Sequence, residues 1–163
     1  MNMYLRRARP DDLPEIREAY RRSADLHTPW TSAPSDFSAY LAAEGRYFVC
    51  LENSHYIAGT FHISGVIRGC FHSAYLGYEV FQPYQGKGYM SQGMQLLLKE
   101  AFEVLKLHRL EANIQPENLP SIRLVTRAGF IKEGFSPQYL RINGAWRDHE
   151  RWAIVNAAWQ GSA

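Results

Sequence analysis

Residues Gln85 to Met90 read Gln-Gly-Lys-Gly-Tyr-Met, between an aromatic, β-branched run and a stretch of helical periodicity. A glycine-flanked lysine where a strand passes into a helix suits an anion. The first N–H groups of a helix point outward, its dipole favours negative charge, and glycines let a ligand approach the backbone. Three phosphate loops compete for this stretch. A Walker A loop needs a glycine five residues before the Gly-Lys pair and Ser or Thr directly after it. Those positions hold Phe81 and Gly88, which excludes it. A dinucleotide fingerprint needs a third glycine three residues after the second, and that position is Ser91. The six histidines have no metal-ligand spacing with one another or with the two cysteines, so no metal is expected.

The elements that must hold this turn follow from periodicity. Tyr4 to Ala8 reads as a strand. Asp12 then looks like an N-cap, with Pro14 in the first turn and Glu15 completing a capping box, and Ile16, Ala19 and Tyr20 form the apolar stripe of a helix. A second helix is expected from about Asp36 to Glu44, stopped by Gly45. "RYFVCLE", "YIAGTFHI" and "FHSAYLGYEV" are successive strands of a meander. Met90, Met94, Leu97, Leu98, Ala101, Phe102 and Leu105 mark a long helix, "RLEANI" a strand, and Asn118 to Gly129 a short capped helix. Asn143-Gly144 between "FIKEGFSPQYLRI" and "AWRDHERWAIV" signals a hairpin. The sum is a mixed α/β sheet, mostly antiparallel, of six to seven strands with four helices and one strand–helix–strand crossover.

Composition narrows the class. The 163 residues suit one domain over 1–163, and the net charge is +2. Six arginines fall in the first 22 residues, but Asp11, Asp12, Glu15 and Glu18 are interleaved. That pattern is a solvated helix face rather than a nucleic-acid arm. No window of 18 apolar residues exists, and the first residues lack a signal-peptide stretch. A cytoplasmic protein without membrane contact is expected, and Cys50 and Cys70 are expected to be free thiols.

The third phosphate loop has the form Gln/Arg-x-x-Gly-x-Gly/Ala. Gln85 and Gly88 fit its first two fixed positions and Met90 misses the last. With "SAYLGYEVFQPYQGKGYM", "LHRLEANIQPENLPSIRLVTRAGFIKEGF" and "YLRINGAWRDHERWAI", the chain resembles the GNAT superfamily of N-acetyltransferases. Within it, the resemblance is to the RimJ branch of ribosomal-protein alanine N-acetyltransferases, from about Val66 to Trp159.

The resemblance implies the GNAT fold, with strands splayed around acetyl-CoA as the cofactor. It puts Tyr78, Glu79, Val80 and Phe81 beside the pantetheine arm, with the Val80 N–H polarising the thioester carbonyl. Backbone N–H groups of Gln85, Gly86, Lys87, Gly88, Tyr89 and Met90 would hold the pyrophosphate. Asn118 would contact the pantetheine, and Ser121 could protonate the leaving thiolate, although both also suit ordinary helix capping. Many members use a tyrosine four residues before the Gly-Phe pair as general acid, and here that residue is Val125. Glu79, Glu111, Asp148 and His149 are all candidate bases, each with a salt bridge or strand-edge charge as its plain alternative. Trp30, Tyr139 and Trp146 could wall a slot for the acceptor, with Asp148 beside it; core packing is the alternative. The expected acceptor is a protein N-terminal amine. A small amine such as an antibiotic or polyamine, or a silent acyl-CoA-binding domain, are the other readings. A monomer or homodimer is expected.

Overall fold

The computed structural model describes residues 2–160. Seven strands form one sheet: β1 (Met3–Arg7), β2 (Arg46–Leu51), β3 (Ile57–Ile67), β4 (Ser73–Val80), β5 (Arg109–Ile114), β6 (Ile131–Ile142) and β7 (Ala145–Val155). Their order in the sheet is β1-β2-β3-β4-β5-β7-β6. Every pairing is antiparallel except β4 with β5. The helices are α1 (Leu13–Arg22), α2 (Ala24–His27), α3 (Phe37–Ala42), α4 (Tyr89–Lys99) and α5 (Leu119–Ala128). The expected mixed sheet and its β4-α4-β5 crossover are present, but the crossover is not single: β5-α5-β6 is a second one, because β6 runs parallel to β5 with β7 between them.

Two buried clusters cover the two faces. On one, Met94, Leu97, Leu98 and Ala101 of the long helix and Val125 of α5 pack on Val49, Phe61, Leu76, Leu110, Ala112 and Ile114. On the other, Ile16, Ala19 and Tyr20 of α1 and Tyr40 and Leu41 of α3 pack on Phe48, Cys50, Ile57 and Phe81. Strand alternation divides β5 between these faces: Leu110, Ala112 and Ile114 point toward α4 and α5, and Glu111, Asn113 and Gln115 point to the opposite side.

Several local expectations need correction. Asp12 stands at the N-cap position of α1 as expected, but its side chain makes no capping hydrogen bond there. A short 3-10 turn (Pro10–Asp12) precedes that helix. The Asp12 carboxylate accepts the Arg9 N–H at 2.8 Å and a bidentate pair from Arg6 at 2.7 and 2.9 Å. Glu15 leaves the helix end and accepts the Ile57 N–H at 2.6 Å, which ties α1 to the start of β3. There are five helices rather than four, because α2 adds a turn directly after α1. Asp36 caps α3 through Ala39 N–H, but the helix ends at Ala42, before Gly45. The long helix changes to a π-type turn over Glu100–Val104. Cys50 is buried, Cys70 is exposed, and they form no disulfide. Asn143 and Gly144 both have positive φ, 49° and 86°, as a tight hairpin turn demands.

Candidate active site

The parallel pairing of β4 and β5 is brief. Only Ser73–Tyr75 and Arg109–Glu111 are in register, and beyond them β4 stays with β3 while β5 stays with β7. A seam therefore opens between the two strands. The register shows which groups face it. Phe81 N–H bonds the Ala58 carbonyl of the neighbouring strand, so that pair is hydrogen-bonded and the Val80–Gly59 pair is not. By the same alternation Tyr78 and Val80 turn their N–H and C=O groups away from β3, into the seam. Phe81 drops out of the candidate cofactor-binding set. Its N–H is consumed and its ring is fully buried between Tyr20 and His27.

At the end of β4 the chain reaches the glycine turn. Gln85, Gly86, Lys87 and Gly88 are all exposed, ahead of the first turn of α4. Gly86 and Gly88 have φ of 73° and 84°, a left-handed conformation that side chains resist. A Cβ on Gly86 would meet nothing within 4 Å, so the space above the turn is open. The sequence mismatch at Met90 has a structural answer. A Cβ on Gly59 of β3 would lie 2.4 Å from the Met90 sulfur, so Met90 turns inward over a glycine and leaves the turn clear. An eleven-residue helix with unpaired first N–H groups, an open glycine turn and a strand edge leading into it fit a pyrophosphate attached to an extended amide-bearing arm.

The candidate side chains separate into three groups. Asn118 caps α5 through the Ser121 N–H at 3.4 Å, and Ser121 Oγ lies 2.7 Å from the Tyr78 hydroxyl. This brings β4 and α5 together across the seam. Val125 is fully buried, so nothing on α5 replaces the missing tyrosine there. The second group surrounds Glu79. The Tyr20 hydroxyl donates to Glu79 Oε1 at 2.6 Å and lies 3.0 Å from the Tyr40 hydroxyl. Burial, then the nearby Glu79 charge, drives the Tyr20 phenol far above its ordinary pKa, so it remains a donor. His27 Nε2 donates to the Val80 carbonyl at 2.7 Å, while its Nδ1 stands 3.4 Å from Glu79 Oε2, and neither of these two atoms has a hydrogen-bond partner. His27 was not singled out by sequence. Its one signal was a place on the stripe that runs Ile16, Tyr20, His27.

The third group is dispersed. Glu111 is buried and held by Arg109 at 3.0 Å, with Arg109 shared by Glu133. Asp148 is exposed on β7 and accepts the Gln138 N–H at 2.8 Å, which fixes a bulge in β6. His149 is buried, with Nδ1 2.9 Å from the Arg147 carbonyl. Tyr139 lies 6.3 Å from His149, ring to ring. Trp146 is 61% exposed on β7, so it is not a core residue. The loop carrying Trp30 is pinned instead: Gln115 Nε2 donates to the Pro29 carbonyl at 3.0 Å, and Asn143 Nδ2 at the hairpin tip donates to Thr28 and Thr31 carbonyls at 2.7 and 3.1 Å.

A model of the acetyltransferase (GNAT) domain matches residues 2–131. The chain belongs to that family. A [ribosomal protein uS5]-alanine N-acetyltransferase of Escherichia coli is 41% identical over 103 residues, 63% of this chain and 53% of the relative. The chain spans about half the length of the curated relatives it matches. Among solved GNAT structures, a ribosomal-protein-S5-alanine acetyltransferase from Vibrio fischeri superposes with a TM-score of 0.90 at 28% identity, covering 99% of this chain and 97% of the other. The family also reaches a spermidine N(1)-acetyltransferase of Vibrio cholerae, 30% identical over 74 residues, 45% of this chain and 43% of that one. Among the described residues no helix is long and apolar enough to cross a membrane, and no cluster of His, Cys, Asp and Glu suits a metal.

Proposed function

We propose that this chain is an acetyl-CoA-dependent N-acetyltransferase of the cytoplasm, and that its acceptor is the N-terminal α-amine of a protein such as a ribosomal protein. The observation that carries the reading is the seam between β4 and β5, with Tyr78 and Val80 turned into it and the glycine turn at its end. The turn from Gln85 to Met90 would hold the pyrophosphate through backbone N–H groups, with the Lys87 side chain contributing little. The thioester supplies an activated acyl group when bound. The Val80 N–H would then receive the charge that develops on its carbonyl oxygen.

The acceptor needs only a modest base. An α-amine has a pKa of about 7.7–8.0 and a lysine amine about 10.4, so roughly a tenth of the former is already neutral at pH 7. Of the carboxylates, Glu79 suits the task better than Glu111. It borders the seam with one oxygen unpartnered, whereas Glu111 is matched by Arg109. We assign Glu79 the removal of the amine proton through a water, with Tyr20 holding the carboxylate in place.

The test is a peptide panel differing only in residue one, with a lysine-only peptide and spermidine as controls. Faster turnover of α-amine peptides with alanine or serine first is expected. Faster turnover of either control than of every α-amine peptide would overturn the acceptor assignment and leave the acetyltransferase assignment standing.

A further inference from the structure

Tyr78 enters the site through its backbone, yet its side chain does something separate. The phenol crosses from β4 to the first turn of α5, where its oxygen lies 2.7 Å from Ser121 Oγ and 3.3 Å from the Ser121 carbonyl. The ring packs on Phe61 at 5.9 Å. The Ser121 N–H is already taken by Asn118. The single phenolic proton therefore has two acceptors on Ser121, Oγ at 2.7 Å and the carbonyl at 3.3 Å, and the shorter contact is the one to Oγ. If the phenol donates to Oγ, the serine proton is released to point elsewhere, and accepting a bond makes the serine a stronger donor.

We propose that Tyr78 sets the direction of the Ser121 hydroxyl, so that Ser121 meets the departing thiolate as a hydrogen-bond donor and keeps its own proton. This rests on the acetyl-CoA reading above and assigns Tyr78 as a positioning residue. In the transfer the amine nitrogen bonds the acyl carbon, the carbon–sulfur bond breaks, and its electron pair stays on sulfur. The amine loses one proton to water, and the sulfur later takes one from water, so the protons balance without either hydroxyl ionising. Proton transfer from the pair would be uphill. A thiol has a pKa near ~8.5, a serine hydroxyl is a far weaker acid, and burial pushes the Tyr78 phenol up rather than down.

The experiment is calorimetry with CoA and with desulfo-CoA, which lacks the thiol, from about pH 7 to 9.5. In the wild type the preference for CoA should grow about tenfold as the thiol ionises, the scale of one hydrogen bond to a charge. In Ser121→Ala and Tyr78→Phe it should grow less than about twofold. A pH-independent preference in the wild type, or a wild-type profile in Tyr78→Phe, overturns the proposal. If Tyr78→Phe does not fold, fluorotyrosine at position 78 decides: a more acidic phenol must enlarge the preference, and no change overturns the role. In turnover, Tyr78→Phe should lower kcat with little change in KM for acetyl-CoA, and the double variant should be no slower than Ser121→Ala; multiplied losses count against the pair. A protein that binds neither ligand overturns the acetyl-CoA reading and this proposal with it. Equal binding of both at every pH overturns only the thiolate contact.

Discussion

Placing a carboxylate on the glycine turn should abolish much of its anion affinity. At Gly86 a new Cβ meets nothing within 4 Å, so Gly86→Ala and Gly86→Asp differ in charge far more than in fit. Both must adopt φ near 73°, at about 1 kcal/mol for alanine. Asp visits that region more readily than alanine, so backbone strain cannot make it the worse variant. A carboxylate about 5 Å from a phosphate charge costs roughly 1–3 kcal/mol at an effective dielectric of about 80 to 20. Gly86→Asp should thus bind acetyl-CoA about 5- to 150-fold more weakly than Gly86→Ala, with equal melting temperatures. The gap should narrow as salt is raised. Lys87→Ala should lose about fivefold or less, since its exposed charge is screened. Calorimetry on the folded variants reads all three. Equal affinity of the aspartate and alanine variants would refute a phosphate at this turn.

Two further perturbations address the frame around the site. His62 on β3 is held down to about 4 by burial and by the Arg46 charge, so the folded protein keeps it neutral while the unfolded chain takes up a proton below about 6.5. Stability should fall between pH 6.5 and 4, and His62→Gln should flatten that limb in denaturant titrations; an unchanged slope would refute the shift. Gly59→Ala should lose about 1–3 kcal/mol in chemical denaturation, because its Cβ would meet the Met90 sulfur at 2.4 Å and the Glu79 carbonyl at 3.0 Å; wild-type stability would refute the packing explanation.

What sequence conveyed was mainly local. The Asn143-Gly144 turn, the alternation in Leu110, Glu111, Ala112, Asn113 and Ile114, and the stripe along Met94, Leu97, Leu98 and Ala101 each have periods that neighbours in the chain enforce. The errors came where a distant partner decides. Asp12 resembles a cap, but Arg6 from the preceding strand claims it. Asp148 resembles a free acid, but the bulge at Gln138 supplies an N–H. The opened seam has no local signature, since it exists only because β4 and β5 diverge after three paired residues while each keeps its partner on the other edge. His27 depends likewise on α2 docking against the end of β4, some fifty residues away in sequence.

The position of β7 governs how this protein can be made. β7, last in sequence of the seven described strands, lies between β5 and β6, and Arg109 to Ile114 pair with Val155 to Glu150. While the β6-β7 segment is still within the ribosome, the nascent chain has β1 to β5 available and an open edge along β5, the kind of edge that recruits stray strands. The hairpin tip that clamps Thr28 and Thr31 arrives with the same segment, more than a hundred residues after the loop it fastens. The wall carrying Trp30 is thus secured only once the β6-β7 hairpin has emerged, and a product truncated near residue 131 would keep the glycine turn while lacking both the clamp and the cover for β5.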